Sequence, residues 1–576
     1  MTNAEIAAAL EELGVLYELD GAVKYRVLAY STAAKAIRES PVSVAELSAQ
    51  GRATEVPGVG KTLAEKIAAL LETGEIPAAV KLKAKFPPTL IEVTRVPGVG
   101  PKTARRLFEE LEVRSMEDLK AAAEGEKVRH VKGLGSKAEE NILAALERLG
   151  EPGEGPGRLL LSKVKPIAEE LAEALREHPA AKEVEVAGSA RRWAETCKDI
   201  DLIATAEEPE ALSQHLAEHP LIAAHGTPGP NGVRCQTHNG ISVDLRIVPP
   251  AAFGNLLQHF TGSKAHNVQL REAAVSRGLS VSEHGITDTE SGDVTTCESE
   301  EAVYKRLGYT YIEPELREGR GELKAAREGK LPDLVELADV KGDLHSHTTL
   351  SDGRNTLEEM AAAARERGYA YLAITDHSAS HGFGDHVTAE RLWERIEEVR
   401  AWNKDSGQRR FRLLAGSEIN IGLDGSLDYP EDLVAALDWV VASVHTSFSV
   451  SEKQMTERVL TAIENPHVDC IGHLTGRLIG RREPYGIEIE AVAEAAARTG
   501  TMIEINGNPN RRDLSDLHAR LASEAGVRIV LTTDAHGVDT LDNMVYAVAT
   551  ARRAWLTRAD IANTCGWAEF KKLRKR

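Results

Sequence analysis

Nine histidine, aspartate and glutamate side chains in the C-terminal part of the sequence are spaced as ligands of metal ions would be. In GDLHSHTTLSDG, residues 342–353, His345 and His347 end a short apolar run and Asp352 follows. Side chains at i and i+2 of a strand point to the same side. Six more candidates end other apolar runs: His377, Glu418, His445, His473, Asp534 and His536. Nitrogen and oxygen ligands without a thiol predict a site for two or three zinc, manganese or iron ions, which suits phosphoester chemistry.

The elements that must position these ligands follow a regular order. From residue 340 onward a short apolar run is followed by an amphipathic helix, seven times over; the runs are DLHSH, YLAITDH, FRLLAGSE, WVVASVH, HVDCIGH, TMIEING and RIVLTTDAH. Strands that alternate with helices predict a parallel sheet or barrel. In a barrel the strand ends converge on one face, so the nine candidates are expected to meet there.

The motifs HSH…D, TDH, SE, SVH, GH and DAH resemble those of the PHP (polymerase and histidinol phosphatase) domain. The resemblance implies a distorted (β/α)7 barrel that holds two or three Mn²⁺ or Zn²⁺ ions. All nine ligand positions are filled, which implies a working phosphoesterase. Asp376, Glu504, His381 and His386 also occur nearby, and we interpret them as structural or solvated residues.

A second group of acidic residues lies in the middle of the chain. In GSARRWAETCKDID, residues 188–201, Asp199 and Asp201 alternate on a predicted strand, and Asp244 in ISVDLRIV can join them from a neighbouring strand. Three carboxylates on one surface repel each other unless divalent metal lies between them. With a Gly188-Ser189 turn that offers backbone donors to phosphate, the pattern predicts phosphoryl transfer by two metals.

This region resembles the nucleotidyltransferase palm of family X DNA polymerases, and HFTGSKAHNVQLR, residues 259–271, resembles that family's YFTGS…N element. The resemblance implies that Asp199, Asp201 and Asp244 are catalytic and bind Mg²⁺ or Mn²⁺. It implies nucleotide contacts from Gly188, Ser189, Arg192, His259, Phe260, Gly262, Ser263, Lys264 and Asn267. Trp193 and Lys198 depart from the family, which has glycine at these two positions, so triphosphate geometry or metal preference is expected to differ.

The first 150 residues read as all-helical, with an internal repeat at VPGVGKTLAEKI from Val56, VPGVGPKTARRL from Val96 and VKGLGSKAEENI from Val131. Glycines before a helix N-terminus let backbone amides approach phosphate. The pattern resembles helix-hairpin-helix motifs, which implies contact with the DNA backbone. The implied DNA-binding residues are Gly58, Gly60, Lys61, Gly98, Gly100 and Lys102. Lys66 occupies the position of a lyase lysine in resembling repair enzymes, but we interpret it as a solvated helix residue.

Length and composition are consistent with several domains. A chain of 576 residues is too long for one core, its five scattered cysteines favour a reducing compartment, and its N-terminus lacks signal-peptide features, so we expect a cytoplasmic protein without a membrane segment. The net charge of −19 disfavours nucleic acid only weakly, because residues 1–150 are near neutral. The predicted order is an N-terminal (8 kDa-like) helix-hairpin-helix domain, 1–80; a fingers-like helix-hairpin-helix domain, 81–155; an α+β nucleotidyltransferase palm, 156–250; a thumb, 251–318; a linker, 319–339; and the PHP domain, 340–576.

The resemblance covers essentially the whole chain and follows the domain order of bacterial family X DNA polymerases with a C-terminal PHP domain. It implies a gap-filling repair polymerase, expected to be monomeric, that uses gapped or primer-template DNA and dNTPs, and whose PHP domain is a 3′→5′ exonuclease. One alternative is a PHP nuclease or small-molecule phosphatase whose palm binds DNA but polymerises poorly. A non-enzymatic DNA-end scaffold is the other, and it requires missing ligands, whereas none is missing here.

Overall fold

The structure is a computed structural model that describes residues 1–96, 98–148, 158–378, 380, 387–405 and 411–575. His381, His386 and most of the Gly/Pro-rich hinge at 151–158 lie outside these residues. The chain divides into two compact units. The first comprises Met1–Leu159, Pro166–Val186 and Lys198–Pro249, and the second Leu160–Lys165, Ala187–Cys197 and Pro250–Arg576. None of the helices in the described ranges has the length and apolar character needed to cross a bilayer.

The N-terminal region is helical, as predicted. Its helices are α1 (Asn3–Leu19), α2 (Lys24–Glu39), α3 (Val44–Ala49), α4 (Lys61–Thr73), α5 (Pro77–Lys83), α6 (Pro88–Val93), α7 (Pro101–Leu111), α8 (Met116–Glu124) and α9 (Ser136–Arg148). Apolar residues at helical spacing, among them Ile6, Leu10 and Leu13 of α1, form one buried core across these helices. Thr2 and Glu5 form a capping box that satisfies backbone N–H groups at the start of α1.

The three sequence repeats fold into the same turn. Gly58, Gly98 and Gly133 have φ values of 80°, 90° and 83°, in the left-handed region that favours glycine. Two residues later Gly60 and Gly100 cap α4 and α7 with ordinary φ values of −80° and −71°. The turn places the exposed Lys61 and Lys102 in the first turns of these helices.

The middle of the chain contributes to both units, because Leu160–Lys165 and Ala187–Cys197 belong to the second. Its elements are β1 (Leu159–Leu160), α10 (Leu161–Glu177), β2 (Ala181–Val186), α11 (Gly188–Arg191), β3 (Thr196–Cys197), β4 (Asp199–Ala206), α12 (Pro209–Ala217), β5 (Ile222–His225), β6 (Gly232–Thr237) and β7 (Ser242–Ile247). Five strands form a mixed sheet in the order β2-β4-β7-β6-β5. Only β4 and β7 run parallel, and their register pairs Asp201 with Asp244.

The next segment contains α13 (Phe253–Thr261), α14 (Lys264–Val275), β8 (Leu279–Ser282), β9 (Gly285–Asp288), β10 (Val294–Thr295), α15 (Glu300–Arg306) and α16 (Glu322–Glu328). The strands form an antiparallel sheet in the order β10-β9-β8. Glu300 is buried between two arginines, with its carboxylate 2.7 Å from Arg191 Nη2 and 2.5 Å from Arg317 Nη1. A buried carboxylate remains charged when it is paired in this way.

The remaining residues form the predicted barrel. Its strands are β11 (Gly342–Asp343), β12 (Tyr371–Ile374), β13 (Arg412–Asn420), β14 (Trp439–Ser443), β15 (Cys470–Ile471), β16 (Met502–Asn506) and β17 (Ile529–Thr532). They are parallel and paired in chain order. A bridge between Ser346 and Ala535 joins the two ends of the sheet and nearly closes the barrel. Every strand residue of the barrel except Arg412 is buried, which explains the continuous apolar runs in the sequence.

Helices surround the barrel: α17 (Leu357–Glu366), α18 (Ala389–Asp405), α19 (Glu431–Ala436), α20 (Glu452–Glu464), α21 (Ile489–Thr499), α22 (Asp516–Glu524), α23 (Met544–Arg553) and α24 (Trp567–Phe570). The barrel interior is filled with side chains at the end opposite the predicted ligands. Trp439 is buried there and its Nε1 donates to the Leu344 carbonyl at 2.9 Å, while Tyr371 stacks on Phe570. Ligand chemistry is therefore confined to the other end.

A buried histidine–glutamate pair predicts acid sensitivity of the second unit. His266 Nδ1 lies 2.7 Å from Glu322 Oε1, and Nε2 lies 2.9 Å from the Tyr304 hydroxyl. Burial lowers the pKa of His266, against the opposing effect of Glu322. Burial alone would raise the pKa of Glu322, but hydrogen bonds from His266 and backbone amides outweigh it and lower that pKa.

Both groups therefore bind fewer protons in the folded state, and stability falls as pH falls. The His266 contribution is complete above the ordinary histidine pKa of about 6.5 and is lost below it. The Glu322 contribution is lost below the ordinary glutamate value of 4.5. Urea denaturation of the wild type and His266→Gln at pH 7.5, 6 and 5 measures this effect. The stability difference between them should narrow as pH falls, and a difference independent of pH would contradict the assignment.

Candidate metal centre and nucleotidyltransfer site

The nine predicted ligands meet at one mouth of the barrel. His345 and His347 lie just beyond the end of β11 rather than within it, and their ring centroids are 5.2 Å apart. Glu418 is within β13, and the other candidates follow strand ends or lie in loops: Asp352, His377, His445, His473, Asp534 and His536. Parallel strands paired in chain order explain why side chains distant in sequence converge.

Glu418 lies at the centre of the cluster. Its carboxylate oxygens are 2.9 Å from a ring nitrogen of His377 and 2.9 Å from one of His473. They are 3.1 Å from His445, 3.4 Å from His345 and 3.7 Å from His347. One carboxylate surrounded by five imidazoles has the arrangement of a bridging ligand between metal ions.

Three sets of side chains have ligand atoms within 4.8 Å of one another. They are His347, Asp352, His377 and His536; His345, His347 and Asp534; and His377, Glu418 and His445. The sets share His347 and His377, so they form one connected cluster. Phosphoesterases with several metal ions hold those ions close enough together to share ligands.

Many nitrogen and oxygen atoms of the candidate ligands have no hydrogen-bond partner within the described cluster, which suits them to bind metal ions. Within the described chain, His345 Nε2, both ring nitrogens of His347, His473 Nδ1 and both Glu418 oxygens are buried and make no hydrogen bond of acceptable geometry. Buried polar atoms are normally hydrogen-bonded, so a concentration of exceptions needs an explanation. Divalent cations bound by imidazole nitrogen and carboxylate oxygen supply it.

The charges in the cluster drive the histidine pKa values apart. Burial, His536 and His377 lower the pKa of His347 to about 4. Burial also opposes a charge on His345, but Glu504, Glu418 and Asp534 outweigh it and raise the pKa of His345 well above its ordinary value. Metal ligation requires the neutral ring, so His347 is already in the form that an ion binds.

Residues outside the nine hold the ligands in place. Glu504 Oε1 is 2.6 Å from His345 Nδ1, and Glu504 Oε2 accepts from the His473 backbone N–H at 2.6 Å. Such contacts orient a metal-bound imidazole. Asp376 accepts from the backbone and hydroxyl of Thr348 at 2.7 Å, both contacts that do not involve the cluster.

Two residues at the mouth escaped the sequence analysis. Arg511 Nε lies 3.5 Å from Asp534 Oδ2, and Asn506 Nδ2 donates to the same oxygen at 3.1 Å. Arg511 is the cation beside the cluster that best matches a phosphate group, because guanidinium geometry suits phosphate oxygens. The sequence gives one indication of them. The other apolar runs end in candidate ligands, whereas TMIEING of β16 is followed by NPNRR, which contains arginines instead of a histidine.

The palm carboxylates lie on two adjacent interior strands of the five-stranded sheet in the first unit. Asp201 and Asp244 are register partners on β4 and β7, and Asp199 precedes Asp201 by two positions. Their side chains therefore share a face of the sheet. Asp244 Oδ2 accepts from Arg246 Nη2 at 3.0 Å and lies 3.4 Å from Arg234 Nε. The predicted carboxylate surface is present in the first unit.

The predicted phosphate loop lies in the second unit. Gly188 has a φ of 64° and begins the short helix α11, with Ser189 and Arg192 half-buried nearby. Arg192 Nε is 3.1 Å from Glu318 Oε1, and its Nη1 donates to the Thr261 carbonyl. Arg192 is thus held by thumb residues in this structure.

The HFTGSKAHN element spans the end of α13 and the start of α14. Gly262 has a φ of 69°, and the Ser263 side chain caps α14 through the His266 amide. Asn267 donates to the His259 carbonyl at 2.7 Å and accepts from Gln258 at 2.9 Å. His259 and Phe260 are tilted neighbours with centroids 5.6 Å apart. Lys264 begins α14 and is exposed.

Each of the two clusters suits phosphoryl transfer, and the hairpins before them suit a phosphate backbone. Together they define a DNA polymerase that carries a second, phosphoesterase-type site. Family models match at four places, described as "Helix-hairpin-helix domain" (1–76), "SAM-like Helix-hairpin-helix tandem" (90–148), "DNA polymerase beta thumb" (256–318) and "PHP domain" (343–508). The "DNA polymerase/3'-5' exonuclease PolX" of Bacillus subtilis (strain 168) is 37% identical over 578 residues, which cover 100% of both chains. The chain therefore belongs to the bacterial PolX group of family X DNA polymerases.

Two other relatives match parts of the chain. "DNA polymerase lambda" of Rattus norvegicus is 27% identical over 354 residues, 55% of this chain and 56% of that protein. A "probable phosphatase" of Thermoanaerobacter sp. (strain X514) is 33% identical over 238 residues, 38% of this chain and 89% of that protein. The predicted family is confirmed, and its divalent-metal chemistry with it.

Proposed function

We propose that the protein fills short gaps during DNA repair and removes nucleotides from 3′ ends with its barrel. The observation that supports the proposal is the presence, in one chain, of three carboxylates that share a sheet face and of nine candidate ligands at one barrel mouth. Eight of these ligands form three overlapping sets, and the ninth, His473, lies 2.9 Å from Glu418. In the palm, Asp199, Asp201 and Asp244 would hold Mg²⁺ or Mn²⁺. In the barrel, the nine side chains would hold two or three Mn²⁺ or Zn²⁺ ions.

In the palm, bound ions would stabilise the attacking 3′-oxygen and the departing pyrophosphate. The protein's own contribution is to fix the carboxylates. Arg246 and Arg234 orient Asp244 from the same sheet, and the parallel register keeps Asp201 opposite it. Gly188 and Ser189 offer backbone donors and Arg192 offers charge to the triphosphate, while Gly262, Ser263 and Lys264 supply the turn beside it. His259 and Phe260 would pack on the sugar, and Asn267 would contact the base.

In the barrel, bound ions would activate water and neutralise the scissile phosphate. Glu418 would be one of their ligands, and Glu504 keeps His345 in one orientation through its Nδ1 contact. Arg511 would bind a phosphate oxygen, since its guanidinium lies at the edge of the cluster beside Asp534. No protein nucleophile is required in this scheme.

The helix-hairpin-helix turns would grip DNA on either side of a gap. A Cβ atom added at Gly60, Gly98 or Gly100 would meet nothing within 4 Å. At Gly60 and Gly100 φ is also ordinary, so neither packing nor backbone conformation requires glycine. Close approach of a phosphate to the backbone N–H groups does require it, and Lys61 and Lys102 would add charge.

Alanine at these two caps should weaken DNA binding without unfolding the domain. Gly60→Ala and Gly100→Ala should each reduce affinity for gapped DNA about tenfold, because a hydrogen bond to a charged group contributes about 1.5–3 kcal/mol. Gly566→Ala is the matched control, since Gly566 also caps a helix with φ −68° and open space around its Cβ position. Fluorescence anisotropy measures the affinities, and equal losses in the control would contradict the phosphate contact.

The proposed function is tested with a 5′-labelled primer on DNA with a one-nucleotide gap. Wild-type protein with Mg²⁺ or Mn²⁺ should lengthen the label by one nucleotide when dNTPs are present and shorten it when they are absent. Shortening without lengthening in any condition would refute the polymerase assignment and leave a nuclease guided to gaps.

A nuclease that is guided to gaps and does not polymerise is the second candidate function, and one residue favours it. Lys198 is exposed immediately before Asp199, where its positive charge competes with a divalent ion for the carboxylates. Lys198→Gly discriminates between the two. If the lysine suppresses polymerisation, the variant gains primer extension that the wild type lacks.

A further inference from the structure

The loop assigned to the triphosphate, residues 187–197, packs with the barrel and thumb in one compact unit. Trp193 of this loop lies edge-on to Tyr546 of α23, with ring centroids 6.1 Å apart, and Lys165 Nζ lies 4.4 Å from the centre of the Trp193 ring. Trp193 has a φ of 53°, a conformation that favours glycine. A tryptophan is maintained there by the contacts of its ring, and one of these is with the barrel.

The backbone of the loop is held by two barrel arginines. Arg512, which is 1% exposed, donates from Nη1 to the Trp193 carbonyl at 2.9 Å and from Nε to the Thr550 hydroxyl at 2.9 Å. Arg553 of α23 donates from Nη1 to the Arg192 carbonyl at 2.8 Å. Consecutive carbonyls of the loop thus accept from separate buried guanidinium groups.

The side chains of the loop are tied down as well. Glu318 Oε1 lies 2.8 Å from Arg553 Nη1 and 3.1 Å from Arg192 Nε, so it joins the barrel arginine to the loop arginine. Arg477, in the loop after β15, pairs with Glu195 at 2.6 Å. The loop is therefore fixed at Arg192, Trp193 and Glu195 by three different parts of the barrel.

The burial of Arg512 indicates that its hydrogen bond to the Trp193 carbonyl has a role beyond packing of the barrel. A buried charge is costly unless it is paired or fully hydrogen-bonded. Among the described residues, the side chain of Arg512 hydrogen-bonds only to a hydroxyl and to the Trp193 carbonyl, and its Nη2 has no partner. If this position mattered only for the packing of the barrel, an apolar residue would give a more stable fold. We therefore attribute the buried guanidinium to its hydrogen bond with the loop.

We propose that the PHP barrel supports the triphosphate loop, and that Arg512 and Arg553 are positioning residues that hold this loop in its binding conformation. The inference rests on the proposed function, because it assigns nucleotide binding to Ser189 and Arg192. Neither arginine contacts the nine candidate ligands. They act through the loop backbone, and their loss should weaken dNTP binding while the barrel retains its own hydrolysis.

The same barrel loop serves both sites. Arg511 lies beside Asp534 of the metal cluster, and its neighbour Arg512 holds Trp193. The two successive arginines of the run NPNRRD therefore have different contacts: Arg511 lies at the metal cluster, and Arg512 binds the backbone of the triphosphate loop. The polymerase loop and the phosphoesterase mouth thus share one supporting segment.

The test measures kcat and KM for insertion of one dNTP into gapped DNA. Arg512→Met should raise KM about tenfold with kcat little changed, which corresponds to the loss of one charge-assisted hydrogen bond. Arg512→Lys should recover part of the loss because an ammonium group can still donate to the Trp193 carbonyl. A merely structural defect would reduce the amount of active enzyme, and so lower kcat and 3′-end hydrolysis together without changing KM.

Two further variants protect the test against misfolding. Tyr546→Ala removes the ring contact at a half-buried position and should raise KM in the same direction. Arg458→Met is the matched control, since Arg458 is another buried barrel arginine that donates to the carbonyls of Ile421, Gly422 and Thr446 and contacts no loop residue by hydrogen bond in the described structure. Its KM should equal that of the wild type.

Hydrogen exchange of residues 187–197 provides a reading that does not depend on activity. Their amides should exchange faster in Arg512→Met and Tyr546→Ala than in the wild type or Arg458→Met. Unchanged KM and exchange in both loop variants, with normal wild-type insertion, would overturn this inference alone. Absence of insertion by the wild type would overturn the proposed function and this inference with it.

Discussion

Glu418→Gln should abolish hydrolysis of DNA 3′ ends while leaving nucleotide insertion intact. The carboxylate lies within 3.7 Å of ring nitrogens of five histidines. The other two candidate carboxylates, Asp352 and Asp534, each lie close to three. An amide of the same shape has no negative charge to bridge cations. We expect hydrolysis to fall on the order of 10²–10³-fold, as when one group is removed from a preorganised electrostatic site.

The measurement combines a labelled-strand assay with the metal content of the purified protein. Glu418→Gln should carry fewer ions per chain than the wild type, whereas Glu431→Gln, an exposed carboxylate on α19, should carry the same number. A chelator should lower the melting temperature of the wild type more than that of Glu418→Gln, because only an ion that binds the folded state stabilises it. Full hydrolysis by Glu418→Gln would rule out the cluster as the hydrolytic site.

Asp201→Asn should have the reverse effect, removing insertion and sparing hydrolysis. Asp201 and Asp244 are register partners on parallel strands, so one amide leaves the shared face with less charge for two divalent ions. We expect kcat for insertion to fall on the order of 10²–10³-fold or more, again by loss of an electrostatic group at the reacting centre. Single-turnover extension of a gapped primer measures the change.

Glu185→Gln is the matched control for Asp201→Asn, because Glu185 is an exposed carboxylate on β2 of the same sheet, paired with Ile203 rather than with Asp244. It should insert nucleotides as the wild type does. If Asp201→Asn retained insertion within tenfold of the wild type, the catalytic carboxylates would have to be sought elsewhere. The two active-site variants together separate the activities completely, which neither does alone.

The barrel and its cluster were predictable because the ligands recur at the ends of apolar runs. His345, Glu418 and His536 are far apart in sequence, but parallel strands paired in chain order bring such ends together whatever the loop lengths are. The helix-hairpin-helix turns could also be predicted, because the positive φ values of 80° and 90° require glycine at the same position of each repeat. In both cases a local pattern specifies the geometry.

The features that escaped prediction depend on contacts between distant segments. The sequence showed Trp193 only as a departure from the family's glycine, and the contact of its ring with Tyr546 became visible only in the structure. Arg511 was missed because it follows the one strand run that ends without a candidate ligand. The sequence analysis placed Glu504 among structural or solvated residues, and its contact with His345 Nδ1 is the structural role that a ligand-based pattern does not reveal. Long-range pairs of this kind have no periodic signature.

The seam of the barrel has a consequence for protein synthesis. His347 Nε2 and Asp534 Oδ1 are 3.2 Å apart across the junction of the first and last strands. A nascent chain emerges from the ribosome N-terminus first, so the helix-hairpin-helix segments and the palm sheet are available to fold long before Asp534 and His536 have been translated. Until then no nascent polypeptide contains a complete hydrolytic cluster. The order of residues along the chain therefore delays the hydrolytic cluster until Asp534 and His536 have been made, and the support of the phosphate loop by Arg553 comes later still.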